Sequence, residues 1–317
     1  MARIPAAVAA VRQAVRHALP ADGLVLVACS GGADSLALAS AVRFVHRGGV
    51  GLVTVDHGLQ EGSDSRASSV ASWARSARFD PVDVVTVAVG GRPGGPEAAA
   101  REARYEALSA VAARVGAVAV LLGHTRDDQA ETVLLALARG AGPRGIAGMP
   151  ARKGLFVRPL LDVARADTRK ACAAQGLVPW DDPHNVDPAF ARSRVRGAAL
   201  PALVEALGPA VVANLARTAG QVATDNAALD ALARDALLSA YESGGLEILV
   251  LSGMVSAIRT RVLHTWAKQL GASGSALSHR HVEALDALIT DWHGQGPVHL
   301  PGGIRVARVQ GRLVRVA

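Results

Sequence analysis

The sequence predicts an α/β fold: a doubly wound parallel sheet, followed by a smaller C-terminal domain that is mainly helical and ends in a short β meander. Three observations carry this. Four apolar runs alternate with segments of helix length up to about residue 138. From about residue 208 the pattern becomes long-helical. The last stretch, "PVHLPGGIRVARVQGRLVRVA", alternates around turn signals at Pro301-Gly302-Gly303 and Gln310-Gly311.

In chain order, "MARIPAAVAAVRQAVRHALP" is an amphipathic helix and not a signal peptide, because Arg12 and Arg16 interrupt its apolar stretch. Strand runs follow at 23–28, 50–55, 82–89 and 117–123. Between and after them lie the helical patterns "ADSLALASAVRFVHRG", "SDSRASSVASWARSAR", "GPEAAAREARYEALSAVAARVG" and "RDDQAETVLLALARG". Such alternation requires parallel pairing with right-handed crossovers, and sheets of this kind bind ligands beyond the carboxyl ends of their strands. The chemistry-bearing residues sit at those ends: Ser30 after the first strand, Asp56-His57-Gly58 after the second, His124 through Asp128 after the fourth. "RGAGPRGIAGMPARKG" (139–154) has no periodicity and reads as a loop. "LFVRPLL", the helix "RADTRKACAAQG" and the Pro-interrupted segment 179–203 complete a first domain of residues 1–205, and residues 206–317 form the second. Two helices are expected near 254–271 and 277–291.

Composition narrows the class. No run of about 18 uninterrupted apolar residues occurs, so no membrane span or membrane partner is expected. Cys29 and Cys172, the only cysteines, make neither a disulfide framework nor a four-cysteine metal site, which points to the cytoplasm. The net charge is +7 over 317 residues, and Lys occurs only at 153, 170 and 268. An arginine surplus suits phosphate recognition, because guanidinium pairs phosphate oxygens bidentately.

The corner "VLVACSGGADSLALA" (25–39) carries the first chemical signal. A strand entering a helix through glycines leaves backbone N–H groups and the positive end of the helix dipole facing an anion. Gly31 and Gly32 admit a close main-chain approach, and Ser30 and Ser35 add hydroxyl donors. No Lys follows, so the corner is not a Walker A loop. Asp34 inside an anion loop is reconciled with phosphate by a divalent cation such as Mg²⁺ between the two.

"SGGADS" (30–35) resembles the loop of the PP-loop ATP pyrophosphatase superfamily, which cleaves ATP between the α- and β-phosphates. "VDHGLQ" (55–60), "EAAAREARYEAL" (97–108), "GHTRDDQAETVLL" (123–135), "RGAGPRGIAGM" (139–149), "RPLL" (158–161) and "PWDDPHNVDPAFARSRVR" (179–196) follow in order and resemble the tRNA(Ile)-lysidine synthetase family over residues 24–200. His184 and Ser193 stand where that family usually has Ser and Asn. The resemblance implies ATP and Mg²⁺ as cofactors, with Ser30, Gly31, Gly32, Ala33, Asp34 and Ser35 around the nucleotide and Asp34 and Asp128 on the metal. It implies an isoleucine tRNA with a CAU anticodon and L-lysine as substrates. ATP adenylates the C2 oxygen of the wobble cytidine, and the lysine ε-amine then displaces AMP to give lysidine.

On this resemblance the catalytic set is Asp34, Arg104, His124, Asp128, Glu131 and Arg196. Arg104 and Arg196 would stabilise charge on the phosphoryl oxygens. Asp128 and Glu131, three apart on one helix face, would hold the lysine, and one of His124, Asp128, Glu131 or the phosphate would take its proton. The three arginines 192, 194 and 196 and the loop at 139–145 would contact tRNA phosphates, with the C-terminal domain assisting. The oligomeric state is open, a homodimer included. The alternatives are a PP-loop tRNA thiolase, which needs reactive cysteines, and a non-catalytic RNA- or nucleotide-binding protein on the same scaffold.

Overall fold

Helix α1 (Ala6–Ala18) buries Val8, Val11 and Val15, spaced three and four apart, and leaves Arg16 exposed. Then come β1 (Val25–Ala28), α2 (Ala33–Val45), β2 (Val50–Asp56), α3 (Ser63–Ser76), β3 (Val82–Thr86), α4 (Pro96–Val115), β4 (Ala119–Leu122) and α5 (Arg126–Ala138). The computed structural model describes residues 4–56, 58, 62–88, 96–181, 187–274 and 276–316. His57, Val89 and His184, singled out in the sequence, lie outside these residues.

The sheet has the order β3-β2-β1-β4, extended by β6 (Phe156–Val157) and edged by β5 (Arg152–Lys153). All neighbours pair in parallel except β5 and β6. The chain moves outward from β1 to β2 and β3, then crosses back to β4 on the other side of β1. The order therefore reverses between β1 and β4, and the crevice beyond their carboxyl ends is the ligand position such sheets provide.

Both faces are covered, which is why the strands read as unbroken apolar runs. Val25, Val27, Leu52 and Leu121 pack with side chains of α1, α2 and the later helix α7 (Arg165–Ala174). Leu26, Val53, Val120 and Leu122 pack with Leu108, Val111 and Ala112 of α4.

Residues 139–154 are not a plain loop. They contain a one-turn helix, α6 (Gly142–Ile146), and strand β5. Pro143 starts the turn, and the Gln129 side chain pins its exit by donating to Met149 O (3.0 Å) and accepting from Met149 N–H (2.8 Å). A contact from a distant helix organises this stretch, and local periodicity does not record it.

After α7 come α8 (Ala191–Arg194), a π-helical turn (Val195–Ala199), α9 (Leu200–Leu207) and the 30-residue helix α10 (Val211–Ala240). The chain divides into compact units Met1–Val222 and Ala223–Ala317, so the division falls inside α10. The change of pattern near residue 205 marks the start of helical sequence; a continuous helix carries no compositional signal where contacts change hands.

The second unit adds β7 (Tyr241–Glu242), β8 (Gly245–Glu247), α11 (Ile248–Ser252), α12 (Ser256–Gln269), α13 (His279–Thr290), β9 (Val298–Leu300), β10 (Ile304–Val309) and β11 (Arg312–Val316). The expected meander is β9 to β11, and β7 and β8 enlarge it to a five-stranded sheet in the order β7-β8-β11-β10-β9. Its core gathers Leu246, Leu263, Trp266, Leu285, Val306 and Leu313. Among the described residues no single helix is long and apolar enough to cross a membrane.

Trp266 is the largest fully buried side chain here. Trp266→Ala is expected to cost about 3–5 kcal/mol, measured as a fall in the midpoint of urea unfolding.

Candidate functional site

The corner after β1 leaves its amides available. Gly32 caps α2 without a side-chain hydrogen bond, so the first N–H groups of the helix have no capping partner. Ser35 braces the corner: its hydroxyl donates to Gly32 O (2.9 Å) and accepts from Ser30 N–H (3.2 Å). Gly31 has φ +84°, and a Cβ there would meet Val70 Cγ2 at 2.9 Å. From the other side Trp180 N–H donates to Gly31 O (2.9 Å), and the Arg66 guanidinium stacks 3.2 Å from the Trp180 ring centre. Trp180 thus holds the carbonyl side of the loop through its backbone N–H.

Strand β4 brings the acids to this corner. A Cβ at Gly123 would lie 3.1 Å from the Asp34 carbonyl group and Ser35 N, so only glycine fits the approach of β4 to α2 comfortably. Thr125 then caps α5, with its N–H (2.7 Å) and hydroxyl (2.8 Å) both donating to Asp128 Oδ2. This orients Asp128 Oδ1 and, one turn on, Glu131, whose side chain is 0% exposed.

Three arginines converge on this pair. Arg165 Nη2 donates to Asp128 Oδ1 (2.8 Å) and Glu131 Oε1 (3.0 Å). Arg192 Nε donates to Glu131 Oε2 (2.8 Å), and Arg196 Nε to Glu131 Oε1 (2.8 Å). Arg192 and Arg196 each also place Nη2 3.3 Å from Asp128 Oδ1. The π turn at Val195–Ala199 widens the helix locally, and Arg192 and Arg196, four apart, both reach Glu131. Burial would raise the Asp128 carboxyl, but Arg165, Arg192 and the Thr125 amide outweigh it and hold it at about 2. Burial likewise opposes ionisation of Glu131, and Arg196 and Arg165 bring its pKa below the usual carboxylate value. Arg165 is driven the other way: its burial is outweighed by Asp128, Glu131, Asp34 and Asp127, which push its pKa up.

Asp34 lies at the edge of the same cluster. It accepts from the Thr168 hydroxyl of α7 and lies 3.7 Å from Arg165 Nε. Burial dominates here, with Asp128 adding to it, and the carboxyl is pushed up from 3.8 to about 6.

The remaining site residues are cationic or neutral. Arg104 on α4 makes no hydrogen bond or ion pair with another described residue, and burial followed by Arg101 lowers its pKa. His124 has a buried Nδ1 without a hydrogen-bond partner among the described residues. Burial, reinforced by Arg158, Arg192 and Arg104, holds its pKa at about 3, so it is neutral. Arg158 is buried and donates to Pro150 O (2.9 Å) and Tyr105 Oη (3.0 Å).

Asp34, Asp128 and Glu131 therefore meet around one guanidinium, that of Arg165, with Arg196 also on Asp128 and Glu131 and with Asp128 and Arg104 among the charges that act on His124. Arg165, Thr168 and Arg158 were not anticipated from sequence. The available signal was only electrostatic: two carboxylates at the start of one helix need a counter-ion, but arginines at 139, 144, 152, 158 and 165 all follow and the sequence does not choose among them. Arg192 and Arg196 of the basic segment face inward as well, whereas Arg194 is exposed. Arg194 Nη1 donates to Pro188 O (2.7 Å) and Ala189 O (2.9 Å), while Arg192 and Arg196 hold the acids.

Comparison with known proteins follows the same division. A family model described as a PP-loop domain matches residues 7–203, and one described as a TilS substrate binding domain matches residues 246–314. A tRNA(Ile)-lysidine synthase of Salinispora tropica is 64% identical, covering 100% of this chain and 98% of the relative. The chain belongs to the tRNA(Ile)-lysidine synthase family. Enzymes of that name from Streptomyces coelicolor (56% identical; 93% of this chain, 86% of the relative) and Thermobifida fusca (54%; 98% of each) extend the match. Membership in the lysidine synthase family makes the chain a ligase that forms a carbon–nitrogen bond in ATP-dependent tRNA modification. Among solved structures, the U34-tRNA thiolase of Methanococcus maripaludis with its [4Fe-4S] cluster aligns with a TM-score of 0.56 at 15% identity, over 69% of this chain and 80% of that one. That likeness concerns the fold.

The Asp34 shift has a measurable consequence. A carboxyl whose pKa is higher in the folded state favours folding only while protonated. Its ionised form weakens the fold above about pH 6, and this effect fades as pH falls toward 3.8. Asp34→Asn is therefore expected to raise the Tm of the ligand-free protein at about pH 8, by the equivalent of roughly 1–3 kcal/mol, with the gain shrinking toward about pH 4. Paired thermal melts across that range check it.

Proposed function

We propose that this chain converts the wobble cytidine of the CAU-anticodon isoleucine tRNA to lysidine, using ATP and L-lysine. One observation carries the reading: the phosphate-binding corner with Asp34 and the acid pair Asp128–Glu131 meet around the single guanidinium of Arg165. A nucleotide site and an ammonium site are then contiguous, as transfer from an adenylate to an amine requires.

ATP lies with its phosphates on the open amides of the 30–35 corner and on Arg104, a half-buried cation that pairs with no acid among the described residues. Asp34 and Asp128 both flank the Arg165 guanidinium, a pair of carboxylates arranged for cations, and would hold Mg²⁺ beside it. Among the described residues no cluster of three or more His, Cys, Asp or Glu is placed to hold a metal, so an ion on Asp34 and Asp128 would need phosphate oxygens as further ligands. The ion would supply neutralisation of charge on the departing pyrophosphate. Arg104 and Arg196 stabilise the α-phosphoryl oxygens as the C2 oxygen attacks.

The lysine ammonium pairs with Asp128 and Glu131 by taking the place of Arg192 and Arg196, one ammonium for two guanidiniums, while Arg165 stays on both acids. Its amine, with a pKa near 10.4, is neutral in about one molecule in 2,500 at pH 7 and must lose a proton. Asp128 at about 2 and His124 at about 3 are weak bases as arranged. We assign the proton to the adenylate phosphate: the new N–C2 bond forms, the C2–O bond breaks, and AMP leaves with the oxygen. Anticodon recognition falls to the arginine-bearing segments of the first unit, with the second unit assisting on the tRNA. Two copies of the chain in a dimer are compatible with this scheme.

A thiolase reading lacks its nucleophile. Cys29 and Cys172 are buried, and burial raises both thiols, Cys172 to about 11.

Incubation with ATP, labelled lysine and an isoleucine tRNA transcript, followed by nucleoside mass analysis, is expected to show one lysine added to one cytidine. An oxygen-to-sulfur exchange, or tRNA binding with no pyrophosphate release, would replace the proposal by a rival.

Asp34→Asn is expected to lower tRNA-dependent ATP–pyrophosphate exchange by about 10²-fold or more, with the tRNA Kd changed less than about threefold. Glu131→Gln is expected to raise the KM for lysine more than the KM for ATP. Steady-state kinetics with each substrate varied in turn checks the split, and equal losses would remove the assigned roles.

A further inference from the structure

The first turn of α7 touches every acid of the site without belonging to the phosphate corner or to the acid-bearing helix. Arg165 N–H donates to Asp127 Oδ2 (2.8 Å), which fixes where α7 begins relative to α5. The Arg165 side chain then returns to α5 through Asp128 Oδ1 and Glu131 Oε1, and approaches Asp34 Oδ2 with Nε. Thr168, three residues later, places its hydroxyl on Asp34 Oδ1 and on Arg165 O (2.7 Å). One hydroxyl proton faces two acceptors, so this oxygen fastens the α2 carboxylate to the backbone of α7. The Thr168 side chain is fully buried, and the Arg165 side chain is 19% exposed. Behind them, Ala171 and Cys172 of α7 are fully buried in the core with α2, and Cys172 Sγ is 3.3 Å from Ala33 O, one residue before Asp34.

The arginines of the cluster thus differ in kind. Arg192 and Arg196 reach the acids from the short α8 and π segment, by side chain alone. Arg165 is tied by backbone and side chain to two elements of the sheet domain. Only a planar fork with several donors serves three carboxylates at once; an ammonium has the charge without the shape.

We propose that Arg165 and Thr168 are a positioning pair that fixes the distance between the nucleotide half of the site, at Asp34, and the amine half, at Asp128 and Glu131. This rests on the lysidine-forming reading for the identity of the two halves. Neither residue needs to touch substrate. Their effect falls on the second step, in which an amine held on one half must reach a carbon activated on the other, a geometry where a misplacement of about 1 Å costs about 10²-fold.

The test separates the halves. Arg165→Gln, Arg165→Lys, Thr168→Val and Thr168→Ser are prepared as full chains and assayed for tRNA-dependent ATP–pyrophosphate exchange and for single-turnover lysine transfer to preformed adenylate. Arg165→Gln is expected to slow transfer about 10²-fold and exchange by no more than about tenfold. Arg165→Lys is expected to restore Tm but not transfer, because charge is kept and the fork is lost. Thr168→Ser is expected to retain transfer, and Thr168→Val to lose about tenfold. Thr168→Val added to Arg165→Gln should cost less than the product of the single effects, since both act on one spacing. Equal loss of exchange and transfer, tracking Tm across the four variants, would overturn the inference in favour of a purely structural role. A raised KM for lysine or ATP with unchanged transfer rate would overturn it in favour of direct substrate contact. Wild-type protein that exchanges pyrophosphate and never adds lysine would instead sink the lysidine reading.

Discussion

Two carboxylates on one helical turn, one of them wholly shut off from water, are the constraint around which this site is built. Ionised groups taken out of water are tolerated when paired and hydrogen-bonded, and strongly destabilise the fold when a partner is removed. Asp128 and Glu131 meet that condition through Arg165, Arg192 and Arg196. Three guanidiniums face the carboxylates of Asp128, Glu131 and Asp34, and Arg104, which pairs with no acid among the described residues, tips the local balance to positive. A surplus of that sign belongs beside a polyanion. The same arrangement would let an acidic pair sit next to the proposed triphosphate site without repelling it.

The sheet order makes the encounter possible. Because β1 lies between β2 and β4, the phosphate corner after β1 and the acids after β4 emerge side by side at the reversal point. Gly123 lets β4 come close enough for its exit to touch the backbone of Asp34. Helix α7 then links the two through its contacts with α2 and α5. The site is a property of three adjacent elements.

How much of this the sequence discloses follows from the range of each interaction. The alternation of strands and helices, the corner at 30–35 and the pairing of Asp128 with Glu131 are local patterns, and each was legible. The meander at the end was legible too, because its turns are short; β7 and β8, two and three residues long, were not. Arg165 and Thr168 escaped because their partners lie 134 residues away at Asp34 and 34 or more at the acids of α5. Nothing in "RADTRK" distinguishes it from any polar helix start. The inward turn of Arg192 and Arg196 was hidden for the same reason: a basic helix face reads as solvated until the buried acid opposite it is known.

The choice of arginine over lysine within the cluster has a chemical reading beyond general composition. On the proposed reaction an activated pyrimidine carbon waits for a primary amine. A resident lysine at 165, 192 or 196 would be such an amine, tethered within reach, and its attack would join the protein to its own substrate. A guanidinium supplies the same charge to Asp128 and Glu131 while remaining protonated and non-nucleophilic at neutral pH. The chain's lysines stand at 153, 170 and 268, and none pairs with Asp128 or Glu131. The acid pair therefore stays reserved, among amines, for the one that arrives from solution, and the cations that guard it until then cannot take its place in the bond-forming step.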